Sequence, residues 1–63
     1  MQELLREKFL KVYANLPLSL RDDIVLILKD KGAISWNVAY LEVKQNSEFS
    51  DTILSGLNQL ELI

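Results

Sequence analysis

Sixty-three residues with neither a cysteine nor a histidine can be held in a fold only by packing and association. No disulfide or thiolate cluster is available, and a closed zinc site is all but excluded, because carboxylates alone make hard-ion sites. A chain this short buries only about 60% of its unfolded surface, and ordering it costs roughly 1.5 kcal/mol per residue, so burial and entropy nearly cancel. The length supplies one core, hence one domain over residues 1–63. The material for that core is present: 49% of the residues are apolar and 25% charged, the composition of a globular chain rather than a disordered one.

Apolar spacing places three helices. Leu5, Phe9, Val12, Tyr13 and Leu16 share one face of a helix expected over Gln2 to Asn15, with Glu7 and Lys11 spaced to pair on the other side. Pro17 disfavours helical backbone at Leu16 and ends that helix near Asn15. A further helix is expected from Ser35, its N-cap, with Trp36, Ala39, Tyr40 and Val43 in one stripe. After a polar break at Gln45 to Ser47, Asn46 or Ser47 can cap a last helix whose face is Phe49, Ile53, Leu54, Leu57 and Leu60. Gly56 lies inside it at a cost of about 1 kcal/mol relative to Ala, which suggests close approach by a neighbouring helix. That neighbour is either the first helix or the same helix of a second chain. Leu62 and Ile63 are expected to tuck into the core or against a partner.

Ser19 to Ser35 supports two incompatible structures. In one, Asp23 to Leu28 is a strand, Lys29 to Gly32 a tight turn with glycine at positive φ, and Ala33 to Ser35 the return strand. In the other, Ser19 caps a helix with Leu20, Ile24, Ile27 and Leu28 on its apolar face and Gly32 as its end. Five consecutive apolar residues, three of them β-branched, fit a short buried strand better. The expected fold is therefore α+β: a helix, a β-hairpin and two helices in one small layer-packed domain. The alternative is all-α and helix-turn-helix-like. Under it, a helix ending at Gly32, then Ala33-Ile34-Ser35, a helix, the break at Gln45-Asn46-Ser47 and a helix ending Gly56-Leu57-Asn58-Gln59-Leu60-Glu61-Leu62-Ile63 resembles the helix-turn-helix core of winged-helix DNA-binding domains. That resemblance covers residues 20–63 and implies DNA binding through the last helix.

Charge points away from nucleic acid. The net charge is −2. The last helix would offer Glu48, Ser50, Asp51, Ser55, Asn58 and Gln59 to a groove, without a lysine or arginine to displace counterions from phosphates. The C-terminal half is acidic, with Lys44 against Glu42, Glu48, Asp51 and Glu61.

Enzymatic readings lack the usual general bases and soft nucleophiles. Adjacent Asp22 and Asp23 diverge on either a helix or a strand, and Ser47-Glu48 and Ser50-Asp51-Thr52 read as capping chemistry. Gly32 and Gly56 belong to no phosphate loop, and Lys29-Asp30-Lys31 reads as a solvated turn. Neither catalytic nor cofactor-binding nor metal-ligating residues are expected. Trp36, Asn37 and Tyr40 fall within about one helical turn and form a candidate binding patch; the competing reading is that Trp36 and Tyr40 close the core against Phe9 and Tyr13. The expectation is a non-catalytic protein-interaction module or homo-oligomer, in the simplest case a homodimer, with Trp36, Asn37, Tyr40, Leu62 and Ile63 as contact residues and no small-molecule ligand. The longest apolar run, Ile24 to Leu28, is far short of the roughly 20 residues of a membrane span. Met1 is followed by Gln2 and Glu3 rather than by a basic and apolar leader, which makes the cytoplasm the expected compartment.

Overall fold

The ambivalent segment folds as the hairpin. In a computed structural model, which describes residues 2–63, strand β1 (Ile24–Leu28) pairs antiparallel with strand β2 (Gly32–Ser35). A turn closed by the Lys31 N–H donating to the Leu28 carbonyl, 3.3 Å, joins them. Gly32 follows that turn at φ +95°, where L side chains are rarely found, and no atom lies within 4 Å of the place its Cβ would take. Backbone conformation, not crowding, therefore selects glycine there. The α+β architecture is formed, and the helix that the helix-turn-helix resemblance needs over residues 20–31 is not. Three β-branched residues in five are stiff at χ1 and gain more from a pleated surface than from a helix.

The register carries a bulge. Ile24 faces Ser35 and Leu26 faces Ile34, two steps on β1 against one on β2, after which Ile27 faces Ala33 and Leu28 faces Gly32. Val25 is the extra residue. Its insertion shifts the period-2 alternation by one, so Ile24 and Ile27, three apart in sequence, share a face. That face is turned to solvent: Ile24 is 55% and Ile27 79% exposed, while Leu26 and Leu28 on the other face are part-buried with fully buried Ile34 opposite Leu26.

Helices α1 (Gln2–Ala14), α2 (Trp36–Lys44) and α3 (Ser50–Gln59) pack on one another, with β2 leaning on α2 and β1 on α3. Their shared core is Phe9, Ile34, Trp36, Ala39, Val43, Ile53, Leu54 and Leu57. Each large side chain buried there contributes roughly 1.5–3 kcal/mol. Leu60, expected on the buried face of α3, is instead 56% exposed, because the helix ends at Gln59 and the chain turns away. Both later helices close with the same hydrogen-bond pair. The Ser47 and Leu62 N–H groups reach back to Glu42 and Leu57 carbonyls, and the Asn46 and Glu61 N–H groups reach Val43 and Asn58. This arrangement needs a left-handed residue, supplied by Asn46 at φ 53° and Glu61 at φ 60°. Asn tolerates that conformation; Glu carries the steric cost of its Cβ.

Ser47 caps less directly than expected. Its Oγ accepts from the Phe49 N–H at 3.2 Å, in the turn before α3, and its hydroxyl donates to Glu42; α3 itself starts without a side-chain cap. Glu42 also pairs with Lys31 at 3.0 Å, tying the hairpin turn to α2, and the Ser47 hydroxyl and Lys31 together hold its carboxyl below the ordinary value. Among the described residues this is the one ion pair, so the expected Glu7–Lys11 pair is not made; both side chains are exposed, where such a pair gains little.

Gly56 has a cause the spacing argument missed. The neighbour is a strand rather than a helix: a Cβ on Gly56 would lie 3.1 and 3.2 Å from the two methyl carbons of Leu26. Small size at position 56 lets β1 lie close on α3. Gly56→Ala should therefore change stability by less than about 1 kcal/mol, since improved helix propensity offsets a small shift of Leu26. Gly56→Val should cost roughly 1–3 kcal/mol by overpacking. Urea unfolding of both variants checks this, and equal effects of Ala and Val would contradict the close approach.

Candidate functional site

Polar bonds from several segments converge on the first turn of α2. A helix N-terminus leaves four N–H groups without intrahelical partners. Here the Trp36 N–H donates to the Asp23 carbonyl at 3.2 Å, the Asn37 N–H to the Arg21 carbonyl at 3.0 Å and the Val38 N–H to Ser35 Oγ at 3.1 Å. The chain just before β1 thus caps the helix just after β2. Three donors that elsewhere can hold an anion are already occupied.

The Asn37 side chain extends this clamp to α1. Its Oδ1 accepts from the Tyr13 hydroxyl at 2.7 Å and its Nδ2 donates to Asp22 Oδ1 at 2.7 Å. An amide suits both partners at once, because its oxygen accepts the phenol proton and its nitrogen donates to the carboxylate. Arg21 closes the other side, with Nη2 donating to the Tyr13 carbonyl at 3.2 Å, near the end of α1 where carbonyls lack helical partners and cations are favoured.

Aromatic rings and cations are stacked through the same region. The Arg21 guanidinium carbon lies 4.5 Å from the Tyr13 ring centroid. Tyr13 and Tyr40 stack at 4.4 Å with planes 8° apart, and the Lys44 ammonium stands 5.7 Å beyond Tyr40. Tyr13 also neighbours Phe9 at 6.0 Å, and Phe9 neighbours Trp36 at 6.1 Å. Each cation–ring contact contributes about 0.5–1 kcal/mol at exposed sites and more where water is excluded.

These contacts settle where the expected contact residues lie. Trp36 is 7% exposed and belongs to the core. Asn37 is part-buried with both amide atoms engaged inside the chain, and Tyr40 is part-buried against Tyr13. Ile63 packs against the core, while Leu62 is 39% exposed. Trp36 and Tyr40 thus do what the competing reading describes, closing the core beside Phe9 and Tyr13.

The exposed apolar surface lies elsewhere. Ile24, Val25, Leu26, Ile27 and Leu60 line one shallow open depression along β1. Leu4, Leu18 and Leu41 are also exposed, but single exposed leucines are ordinary on protein surfaces. A depression lined wholly by apolar side chains is not. One sign of it was in the sequence: a two-stranded sheet covered on one face cannot bury all five residues of Ile24 to Leu28. The bulge that decides which ones emerge leaves no comparable sign.

Among the described residues no group of three or more acidic side chains is arranged to hold a metal ion, and no helix is long and apolar enough to cross a membrane. Comparison with protein-family models, with curated proteins and with solved structures finds no match, so the reading of this surface rests on its own chemistry.

Replacing the Asn37 amide with a carboxylate tests the clamp. Asn37→Asp puts two carboxylates side by side and removes the donor to Asp22, so neutral-pH stability should fall by roughly 1–3 kcal/mol. Mutual repulsion disfavours the doubly ionised pair in the folded state. The loss should therefore be full at neutral pH and shrink in acid as the carboxylates protonate. Thermal melts of both proteins from pH 7 to pH 3 measure this; a deficit that does not depend on pH would contradict the proposed neighbourhood of the two groups.

Proposed function

We propose that this chain is a non-catalytic protein-interaction module of the cytoplasm and that its contact surface is the apolar depression along β1. The observation that carries this reading is the solvent-facing pair Ile24 and Ile27, brought onto one side by the bulge and continued by Leu60. Exposed apolar surface gathered in one place costs solubility and is characteristic of recognition sites. Centres of such contacts gain most from large side chains that leave water on association. A catalytic role finds little support in the side chains present, since neither histidine nor cysteine occurs. A nucleic-acid role finds no support on α3, whose residues Ser50–Gln59 contain no lysine or arginine.

Site-specific photocrosslinking in intact cells tests the surface. A benzoylphenylalanine at Ile27 should give discrete protein adducts, whereas the same group at exposed Lys8 on α1 should give none. Equal labelling at both positions, or none at Ile27, would remove the basis for this reading.

A further inference from the structure

We propose that the partner on this surface is a second copy of the chain, docked antiparallel along the open edge of β1 so that two hairpins join into one four-stranded sheet. This rests on the interaction reading above and names its occupant. Among the described residues the sheet consists of β1 and β2, so β1 has one edge without a neighbouring strand. Edge strands of soluble proteins are commonly guarded by lysine, proline, an inward-pointing charge or a bulge. Ile24–Leu28 contains none of the first three, and its bulge lies at the entry end, leaving Leu26 to Leu28 in regular register. Backbone N–H and C=O groups along that edge offer a ladder to any added strand, and the flanking charges select which strand and in which direction.

The charges that directly flank the strand are self-complementary. Asp22 and Asp23 precede β1, and Lys29, Asp30 and Lys31 follow it, with Asp23 and Lys29 nearest the ladder. Asp22 already accepts from Asn37, and Lys31 is already paired with Glu42, but the side chains of Asp23 and Lys29 are exposed and enter no ion pair among the described residues. An antiparallel twofold arrangement brings Asp23 of each copy toward Lys29 of the other, giving two opposite-charge contacts at the two ends of the new ladder. A parallel arrangement would set like charge against like. An antiparallel pair of identical strands is also what a closed dimer requires, because a twofold interface meets itself. Ile24 and Ile27 of the two copies then lie on the same face of the joined sheet, where cross-strand apolar pairs add to the ladder.

Charge reversal in the full chain decides the matter, with association measured by sedimentation equilibrium over micromolar to millimolar concentration. Circular dichroism confirms that each variant is folded. Asp23→Lys and Lys29→Asp, each alone, should weaken dimerisation by roughly tenfold through like-charge contacts at both ends. The double variant Asp23→Lys with Lys29→Asp should recover to within about threefold of the parent, since opposite charges again face each other. A dimer indifferent to these reversals would overturn the β1–β1 arrangement, and the interaction reading would then stand or fall with the adducts at Ile27. A chain that stays monomeric at millimolar concentration would overturn self-association. Crosslinks at Ile27 whose mass differs from twice that of the chain would then keep the interaction reading, and their absence would end both.

Discussion

The clamp on the first turn of α2 is the interaction on which the rest of the structure depends. Arg21 and Asp23 give their carbonyls to its N–H groups, Ser35 gives its hydroxyl, and Asn37 reaches from the helix to Tyr13 and Asp22. Three stretches of chain meet there: the end of α1, the entry to β1, and the continuous exit of β2 into the start of α2. A two-stranded hairpin is marginal by itself in water. Fixing both its ends against a helix terminus removes much of the freedom it would otherwise retain.

Placement of the hairpin by that clamp determines what is left outside. With β2 on α2 and β1 on α3, the inner face meets the core through Ile34 and Leu26, and Gly56 lets β1 come close. Among the described residues no element remains to pair with the outer edge of β1 or to cover Ile24 and Ile27. The exposed apolar surface is thus a consequence of architecture: three short helices close one core and have no fourth layer to spend on the sheet.

Much of the fold was legible in the sequence. Helix faces follow from the spacing of Phe9, Tyr13, Trp36, Ala39, Val43, Ile53 and Leu57, because a buried stripe must repeat every three or four residues. The β-branched run favoured the hairpin for local reasons that the tertiary structure respects, while Gly32 suited either reading. The candidate site was less legible. Trp36 and Tyr40 suggested a surface patch because large aromatics are frequent in interfaces, yet the same side chains are the best material for closing a small core. Which of the two occurs depends on whether Phe9 and Tyr13 arrive opposite them, and that is set by long-range packing. The bulge at Val25 was invisible for a related reason: in an unbroken apolar run no alternation shows which residues face out.

Amide hydrogen exchange at two protein concentrations is the most direct test that the edge of β1 is a surface made to be covered. The β1 amides that do not bond to β2 should exchange rapidly in dilute solution and slow markedly when the chain is concentrated, while the amides of α1 exchange at the same rate in both. Rates along β1 that do not depend on concentration would contradict it.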